Sequence, residues 1–332
     1  MAPLTDILGR RITYLRLSVT ERCDFRCTYC IAEDQQFAPR AEVLSLEELG
    51  RLVDVFLDLG VDTVRLTGGE PLTRKGLPVL LEHLGRRRAE GRLRELTLTT
   101  NGSRLAAFVP ALAAAGVERV NVSVDTVDPD LFARITRRGS LAAVQAGIDA
   151  AARAGLRVKL NCVVQKGVND GPEHLDALLR HAGARGHDIT FIEVMPMGPA
   201  AFDFARHHRP LAEVRADLSR RWTLVREGFR TAGPSRYWRC VETGGRIGFI
   251  AATSSCFCAG CNRVRVTSDG TLYPCLGDER AVPLRALLRD DPSGEAVRAA
   301  VAAAITIKPD GHHFTPTGTP TDMARGMNAT GG

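Results

Sequence analysis

The sequence predicts an α/β protein built on an incomplete (β/α)6 TIM-like barrel, followed by a smaller, largely antiparallel C-terminal region. Three observations carry this prediction. Strand-like segments alternate with helical patterns from about residue 11 to 197, six of the strands are polar on one side, and the pattern changes after Gly198. Alternation of strands and helices is typical of parallel sheets, whereas a run of strands without helices favours antiparallel pairing.

The first helix begins at Ser45, which forms a predicted capping box with Glu48, and ends at Gly60. The strand VDTVRLT follows at once. The same change from helix to strand recurs at Gly91, Gly116, Gly155 and Gly186, at intervals of 31, 25, 39 and 31 residues. These intervals match repeated βα units, so the strands should be parallel. Together with the first strand, RITYLRLSV, they make six.

Alternate positions of the six strands carry polar side chains, whereas a parallel sheet covered by helices on both faces is apolar throughout. The sheet is therefore predicted to curl around a solvated or ligand-filled cavity. An ordinary doubly wound sheet with scattered polar residues is the alternative. The predicted inner face consists of Arg16, Ser18, Arg65, Thr67, Thr97, Thr99, Asn101, Asn121, Ser123, Asp125, Lys159, Asn161 and Glu193.

The region after Gly198 predicts a short helix, Pro210 to Arg221, and then the strand-like segments TLVRE and RYWRCVETGGRIGFIAAT. Hairpin turns are predicted at Gly244-Gly245 and Asp269-Gly270. We therefore expect a barrel in residues 1–198, a C-terminal region with a second metal cluster in residues 199–308, and an irregular tail in residues 309–332.

Composition narrows the class of protein. A chain of 332 residues can bury a large core, and 44 basic against 38 acidic residues favour anionic partners. The longest uncharged apolar stretch, residues 105–117, is too short to span a bilayer and predicts an Ala-rich helix interrupted by Pro110. The segment MAPLTDILGRR lacks the apolar run of a signal peptide, so a cytoplasmic protein with no membrane partner is expected. Nine cysteines then indicate metal binding or catalysis.

The segment CDFRCTYC places Cys23, Cys27 and Cys30 at C-x3-C-x2-C spacing. A structural zinc site normally has four ligands, whereas a cubane iron–sulfur cluster held by three cysteines leaves one iron open. The triplet follows the first strand directly, and barrel enzymes build their active sites at that end of the strands. This pattern predicts a metal cluster with an open coordination position.

A second triplet, Cys258, Cys261 and Cys275, has C-x2-C-x13-C spacing. A zinc ribbon would need a fourth ligand, which only Cys256 lies near enough in sequence to supply. We therefore interpret both triplets in the same way, as two sites of three thiolates that each leave a coordination position free. Cys162 and Cys240 are interpreted as buried or incidental thiols.

The chain resembles the radical S-adenosylmethionine superfamily and, within it, the molybdenum cofactor biosynthesis protein A family, the GTP 3′,8-cyclases. The resemblance covers nearly the whole chain. It lies in the segments LRLSVTERCDFRCTYC, VRLTGGEPLTRK, LTTNG, VNVSVDT, VKLNCVVQKGVND, FIEVMPMG, FCAGCNRVRVTSDGTLYPCL, KPDGHHF and the final Gly-Gly.

The resemblance implies two [4Fe–4S] clusters, one on each cysteine triplet. The first, on Cys23, Cys27 and Cys30, binds and cleaves S-adenosylmethionine to a 5′-deoxyadenosyl radical in this family. Glu70 would accept a hydrogen bond from the methionyl ammonium. The cofactor contacts implied by position are Tyr29, Gly68, Gly69, Glu70, Pro71, Ser123 and Met195.

The second cluster, on Cys258, Cys261 and Cys275, would bind the guanine of GTP at its free iron. The radical then takes the ribose 3′ hydrogen, and C3′ bonds to C8. Arg263, Arg265, Gly331 and Gly332 are the implied catalytic residues, with the final glycines reaching into the cavity. The implied GTP contacts are Arg16, Arg65, Thr99, Lys159, Arg263, Val264 and Arg265.

The family also implies partners: a flavodoxin- or ferredoxin-type reductant, a downstream cyclic pyranopterin monophosphate synthase and a second copy of the chain in a homodimer.

The sequence departs from the family pattern at three places. Thr190 replaces an expected basic residue, Cys256 is an extra thiol, and ATGG replaces the usual aliphatic residue before the final glycines. His312 and His313 are interpreted as packing or surface residues.

Two other functions are alternatives. A radical S-adenosylmethionine enzyme that modifies peptides would usually carry more C-terminal cysteines and a peptide-recognition domain near the N-terminus. A basic metal-ribbon protein that binds nucleic acid would interleave aromatic and basic residues, but aromatic residues make up 5% of the chain, and we expect no nucleic-acid partner.

Overall fold

Twelve strands form one continuous sheet in the computed structural model, which describes residues 3–197, 202–255, 257–314 and 325–331. The sheet order is β12-β11-β10-β1-β2-β3-β4-β5-β6-β9-β8-β7. In chain order, strands β1 to β12 are Tyr14–Ser18, Thr63–Thr67, Glu95–Thr100, Arg119–Ser123, Arg157–Val164, Asp188–Glu193, Leu224–Arg226, Arg236–Cys240, Arg246–Ile250, Arg263–Val266, Thr271–Tyr273 and Val282–Pro283. Helices α1 to α11 are Leu46–Asp58, Leu77–Ala89, Leu105–Ala114, Pro129–Thr136, Leu141–Arg153, Pro172–Ala184, Phe204–His207, Leu211–Ser219, Arg285–Asp290, Glu295–Thr306 and Met327–Thr330.

The six predicted barrel strands are confirmed as β1 to β6, each parallel to the next. The glycines at the change from helix to strand have left-handed backbone angles, as helix C-termini often require. Their φ values are 89°, 74°, 73°, 81° and 67° at Gly60, Gly91, Gly116, Gly155 and Gly186. Each predicted change from helix to strand therefore corresponds to a glycine turn of the same kind in the structure.

The C-terminal region extends this sheet from both edges. Strands β7, β8 and β9 are antiparallel to one another, as are β10, β11 and β12, which confirms the antiparallel expectation. The sequence did not predict that β9 pairs in parallel with β6 and that β10 pairs in parallel with β1. The sheet thus crosses the predicted boundary near residue 198. Strands β9 and β10 are not neighbours in the sheet, so the barrel stays open.

The core lies between the outer face of the sheet and the helices. Leu15, Leu17, Val64 and Leu66 are fully buried there, and burying one such side chain contributes about 1.5–3 kcal/mol. The polar face of the same strands points inward, which excludes the doubly wound alternative. Helix α1 has the predicted capping box at Ser45.

Two local predictions were wrong. Helix α3 continues through Pro110 instead of being interrupted, because the proline lies on the exposed side, where water can satisfy the carbonyl that loses its partner. The tail predicted as irregular contains the short helix α11. Gly198, Cys256 and Gly332 lie outside the described residues. Within the described residues, every helix is too short or too polar to cross a bilayer.

Candidate active site

The first cysteine triplet lies in the loop after β1 and lines one end of the barrel cavity. Cys23, Cys27 and Cys30 face this cavity together with Gly68 and Gly69, which follow β2. The two glycines are needed for close packing against the cysteine loop. A Cβ atom at Gly68 would lie 2.1 Å from the carbonyl oxygen of Thr20, and one at Gly69 would lie 2.5 Å from that of Arg22.

The chemistry of the triplet fits an iron–sulfur cluster. Burial, reinforced by nearby carboxylates, raises the pKa of Cys23 well above its usual range and that of Cys30 to about 12. Thiols in this setting become thiolates when a metal binds, since metal coordination deprotonates them. Among the described residues, no three His, Cys, Asp or Glu side chains are placed to hold a single metal ion. A cubane differs from a single ion in that each of its thiolates binds a different iron.

Two buried carboxylates, Asp125 and Glu70, lie behind the wall of this end of the cavity, close enough to act on its thiols. Tyr29 donates a hydrogen bond of 2.8 Å to Asp125. Burial raises the pKa of Asp125 to about 6, although hydrogen bonds from Val163 and Tyr29 oppose the shift. Burial likewise raises the pKa of Glu70 to about 7. The first-triplet end therefore has an acidic character.

Glu70 and Pro71 lie behind the glycine turn and do not line the cavity. The Glu70 carboxylate accepts hydrogen bonds from the backbone of Leu72 at 2.9 Å and of Asn101 at 2.6 Å, and from the Thr100 hydroxyl at 2.8 Å. It thereby fixes the ends of β2 and β3 relative to each other. The predicted contact of Glu70 with a methionyl ammonium stays a prediction.

The remaining predicted cofactor contacts do line the first-triplet end, and so does Thr99, which was predicted to contact GTP. Asn161, Met195 and Met327 line both this end and a second cavity deeper in the barrel. The two cavities are therefore neighbours. The first-triplet end contains Tyr29, Gly68, Gly69, Thr99, Ser123 and Met195.

The second triplet lies in the second cavity. Cys258, Cys261 and Cys275 all line it, the first two at the ends of a single helical turn that precedes β10. Burial opposes ionisation of Cys261, but the positive charges of Arg263 and Lys308 lower its pKa to about 7. One Arg263 nitrogen lies 3.6 Å from the Cys261 sulfur. This triplet also fits a thiolate-bound cluster, and its surroundings are basic instead of acidic.

Seven cations line the second cavity, and no Asp or Glu within the described residues does so. Burial and mutual repulsion lower the pKa of Arg16, and burial lowers the pKa of Arg65 and Lys159. Such a cluster is costly unless an anion offsets it. The cations are Arg16, Arg65, Arg119, Lys159, Arg263, Arg265 and Lys308.

Of the predicted GTP contacts, Arg16, Arg65, Lys159, Arg263 and Arg265 meet in this cavity. Val264 does not, because alternate residues of β10 face opposite sides of the sheet. Its side chain is buried in the hydrophobic core, and only its arginine neighbours face inward.

Two cations that line the cavity, Arg119 and Lys308, were not predicted, and neither was the contact between Lys159 and Tyr237. Arg119 continues the polar face of β4 by one step before Asn121, so the alternation already contained the signal. It forms an ion pair of 2.8 Å with Glu95. Tyr237 accepts a hydrogen bond of 2.8 Å from Lys159. Lys308 donates to the carbonyl of Arg263 at 2.9 Å. Neither Tyr237 nor Lys308 stands in a pattern that would reveal it.

Gly331 lies inside the barrel between β2 and β10. Its φ is 77°, and an added Cβ would lie 2.2 Å from the side chain of Thr67. Arg265 donates to the carbonyl oxygens of Thr330 and Gly331. The segment is held further back by Arg325, which donates to the carbonyl of Leu276 at 2.6 Å. The tail thus contacts an arginine of the second-triplet end.

The structure also shows where the other residues noted in the sequence lie. Thr190 is fully buried against Gly248, outside both cavities, so no basic group stands there. The buried Glu193 carboxylate accepts hydrogen bonds from backbone N–H groups of Leu211, Thr253 and Ser254. Cys162 and Cys240 are fully buried. His312 lines the second cavity, while His313 is exposed beside Asp278.

Comparisons with known proteins agree with this architecture. The radical SAM superfamily model matches residues 17–180, and the model for molybdenum cofactor synthesis C matches residues 187–314. Among solved structures, Streptococcus suis SuiB bound to S-adenosylmethionine has a TM-score of 0.61 at 16% identity, over 87% of this chain and 68% of that one. Native anSMEcpe with bound AdoMet has a TM-score of 0.60 at 18% identity, over 88% and 82%. These likenesses concern the fold.

The barrel and its first cysteine triplet define a radical S-adenosylmethionine protein. Relatives over the full length are more specific. GTP 3′,8-cyclase of Erythrobacter litoralis (strain HTCC2594) is 52% identical over 99% of this chain and 98% of that protein. GTP 3′,8-cyclase of Rhizobium etli (strain CIAT 652) is 50% identical over 99% and 94%. The chain belongs to the GTP 3′,8-cyclase family.

Proposed function

We propose that this chain converts GTP into (8S)-3′,8-cyclo-7,8-dihydroguanosine 5′-triphosphate, an early step of molybdenum cofactor biosynthesis. The observation that carries the proposal is the second cavity, in which seven cations and no described carboxylate surround a cysteine triplet. A nucleoside triphosphate supplies both the negative charge that these cations require and a base that can reach the triplet.

Cys23, Cys27 and Cys30 would hold one [4Fe–4S] cluster and S-adenosylmethionine, which together supply a 5′-deoxyadenosyl radical when an electron is delivered. The acidic surroundings of this end suit the positive sulfonium and ammonium groups of that ligand. Met195 lines both cavities and Ser123 lines the first-triplet end, so they would orient the adenosyl group toward the substrate. Cys258, Cys261 and Cys275 would hold a second [4Fe–4S] cluster beside the guanine.

Arg16, Arg65 and Lys159 would bind the triphosphate, and Arg119 would take part in place of the basic residue that Thr190 lacks. The Lys159 ammonium already donates to Tyr237, which fixes its direction. Arg265 bonds the tail next to Gly331, so substrate and tail share one arginine.

Four further statements stay predictions. They are the cytoplasmic location, the flavodoxin- or ferredoxin-type reductant, the homodimer and the transfer of product to a cyclic pyranopterin monophosphate synthase. A radical enzyme that modifies peptides is the second candidate function. The cationic cavity argues against it, because a peptide backbone offers no comparable negative charge.

Anaerobic reconstitution with iron and sulfide tests the proposal. The iron content is measured, and the protein is then mixed with S-adenosylmethionine, reductant and GTP. About eight irons per chain, GTP-dependent 5′-deoxyadenosine and a cyclised isomer of GTP by mass spectrometry are the expected results. About four irons, with S-adenosylmethionine cleaved and GTP unchanged, would contradict the assignment of substrate and second cluster.

A further inference from the structure

A broad, open groove runs along the outer side of the first cysteine triplet. It is formed by the loop that carries the triplet, the segment before α1 and the loop before α2. Cys23 lines both this groove and the inner cavity, whereas Cys27 and Cys30 line the inner cavity and not the groove. A cluster on this triplet would therefore stand between the solvent side and the substrate side of the barrel wall.

The groove has an excess of positive charge. Eight arginines and lysines line it against four carboxylates. This balance is the reverse of the acidic inner end, where Asp125 and Glu70 lie. The eight cations are Arg22, Arg26, Arg40, Arg51, Arg74, Lys75, Arg104 and Arg289.

Half of these cations are committed to local structure. Arg289 pairs with Glu48 at 2.7 Å, and Arg104 lies 3.9 Å from Asp24. Arg26 donates to the carbonyl of Phe25 at 2.8 Å, and Arg74 donates to that of Leu44 at 2.7 Å. These four hold the groove walls in place.

The other four cations, Arg22, Arg40, Arg51 and Lys75, are exposed. Within the described part of the chain, no carboxylate lies within 4.0 Å of any of their charged groups. Spread along an open groove, they do not converge on one small anion. Glu47 is also exposed in the groove, so the exposed charges are mainly, though not all, positive. Such an excess over an area favours a large partner of opposite charge, which it attracts and orients during the encounter.

We propose that this groove docks an acidic, one-electron donor protein beside Cys23. The inference rests on the proposed function, because radical formation takes one electron for each S-adenosylmethionine cleaved. The donor is oxidised by one electron. The bond between the sulfonium sulfur and C5′ breaks on accepting it, which gives methionine and the 5′-deoxyadenosyl radical. The electron then enters from the groove side of Cys23, opposite the inner cavity.

The test uses the reconstituted full-length enzyme and measures the initial rate of 5′-deoxyadenosine formation. A purified, fully reduced flavodoxin is the protein donor and dithionite the small donor. The double variant Arg40→Glu/Lys75→Glu is compared with Arg153→Glu, an exposed cation at the end of α5 that does not line the groove. Neither groove residue belongs to the cofactor or substrate site.

We expect the double variant to raise the KM for flavodoxin about tenfold or more at low ionic strength, with a weaker salt dependence than the wild type. The dithionite-driven rate stays unchanged, and Arg153→Glu behaves like the wild type with both donors. An unchanged KM for flavodoxin in the double variant overturns the inference. So does an equal loss with dithionite and flavodoxin, which would make the groove part of the cofactor site. If the wild type forms no 5′-deoxyadenosine with dithionite, it is the proposed function that fails.

Discussion

The two cysteine triplets line two adjoining cavities of one barrel and have opposite electrostatic surroundings. At the first, burial raises the pKa values of Cys27 and Cys30, and the nearby Asp125 carboxylate reinforces the shift. At the second, burial would also raise the pKa of Cys261, but the positive charges of Arg263 and Lys308 outweigh it and lower this pKa to about 7. Cysteine thiols thus lie in two different electrostatic environments.

The difference indicates what each end binds. A sulfonium cofactor with an ammonium group is favoured where carboxylates gather, and a triphosphate is favoured where cations gather. If either ligand occupied the opposite end, it would meet charge of its own sign. The electrostatic contrast therefore orders the two ligands along the cavity, with Asn161, Met195 and Met327 at the junction.

The largest expected effect comes from separating the two ends by mutation. Cys261→Ala should leave formation of 5′-deoxyadenosine intact and abolish the cyclised product, because it removes a ligand only at the second-triplet end. Cys27→Ala should abolish both products. Mass spectrometry of both products checks this, and normal cyclisation by Cys261→Ala would remove the second triplet from the reaction.

The carboxylate of Glu193 also lies at the first-triplet end, but its role is structural, because backbone N–H groups hold it. Burial alone would raise its pKa, but the His208 ring 3.9 Å away and hydrogen bonds from Ser254 and Leu211 lower it to about 2. Glu193→Gln should therefore reduce the free energy of unfolding by about 2–3 kcal/mol at pH 7. The contribution is present above the ordinary glutamate pKa of 4.5 and is lost as the pH falls toward 2, so wild type and variant should converge in acid.

Denaturant unfolding of the apo-protein at pH 7 and at lower pH measures this difference. Glu82→Gln is the control, since that exposed carboxylate pairs with Arg86 on the helix surface, where an ion pair contributes little. A Glu193→Gln protein as stable as the wild type at pH 7 would show that the buried hydrogen bonds contribute nothing.

The tail links the two ends, and Gly331 tests that link. Gly331→Ala would place a methyl group 2.2 Å from Thr67 at a φ of 77°, so the tail must move away from Arg265. We expect turnover to fall about tenfold or more, since such strain costs about 1–3 kcal/mol, while the melting temperature stays unchanged. Removal of Gly331 and Gly332 should likewise lower turnover without unfolding the protein.

Gly155→Ala is the matched control, because Gly155 also has a left-handed φ, 81°, with no atom within 4 Å of the added Cβ. It should lower the melting temperature slightly and leave turnover unchanged. Full activity of Gly331→Ala would show that the tail is passive.

The smallest expected effect concerns a single cation of the second-triplet end. Arg119→Gln should raise the KM for GTP about tenfold and leave the KM for S-adenosylmethionine unchanged, because it removes one charged contact from the triphosphate site alone. Arg119→Lys keeps the charge and should recover part of the loss. Equal changes in both KM values would indicate a structural defect arising from the unpaired Glu95.

Sequence patterns predicted the barrel and most of its inner face because both depend on local periodicity. The five glycines and the alternation of β1 to β6 are readable without distant contacts. The parallel joins of β9 and β10 are not, since the pairing of Arg265 with Arg16 connects residues from opposite ends of the chain.

The site shows the same division. The cysteine spacings identified both triplets, and their separation along one cavity emerged only from the fold. Val264 was included in the GTP site because the family resemblance implies contacts along the run Arg263 to Arg265, yet strand geometry turns its side chain outward into the core. Arg119 was omitted although it continues the pattern of Asn121. Lys308 lines the cavity, and Tyr237 contacts Lys159, from segments without such a pattern.

Transfer of hydrogen between the two ligands is the most direct test of a shared cavity with a cofactor end and a substrate end. GTP carrying deuterium at C3′ is incubated with the reconstituted enzyme, S-adenosylmethionine and dithionite, and the 5′-deoxyadenosine is analysed by mass spectrometry. The two-ended cavity predicts that 5′-deoxyadenosine gains one deuterium and that the cyclised product loses it. Unlabelled 5′-deoxyadenosine, with deuterium retained in GTP, would show that the two ligands do not meet in this barrel.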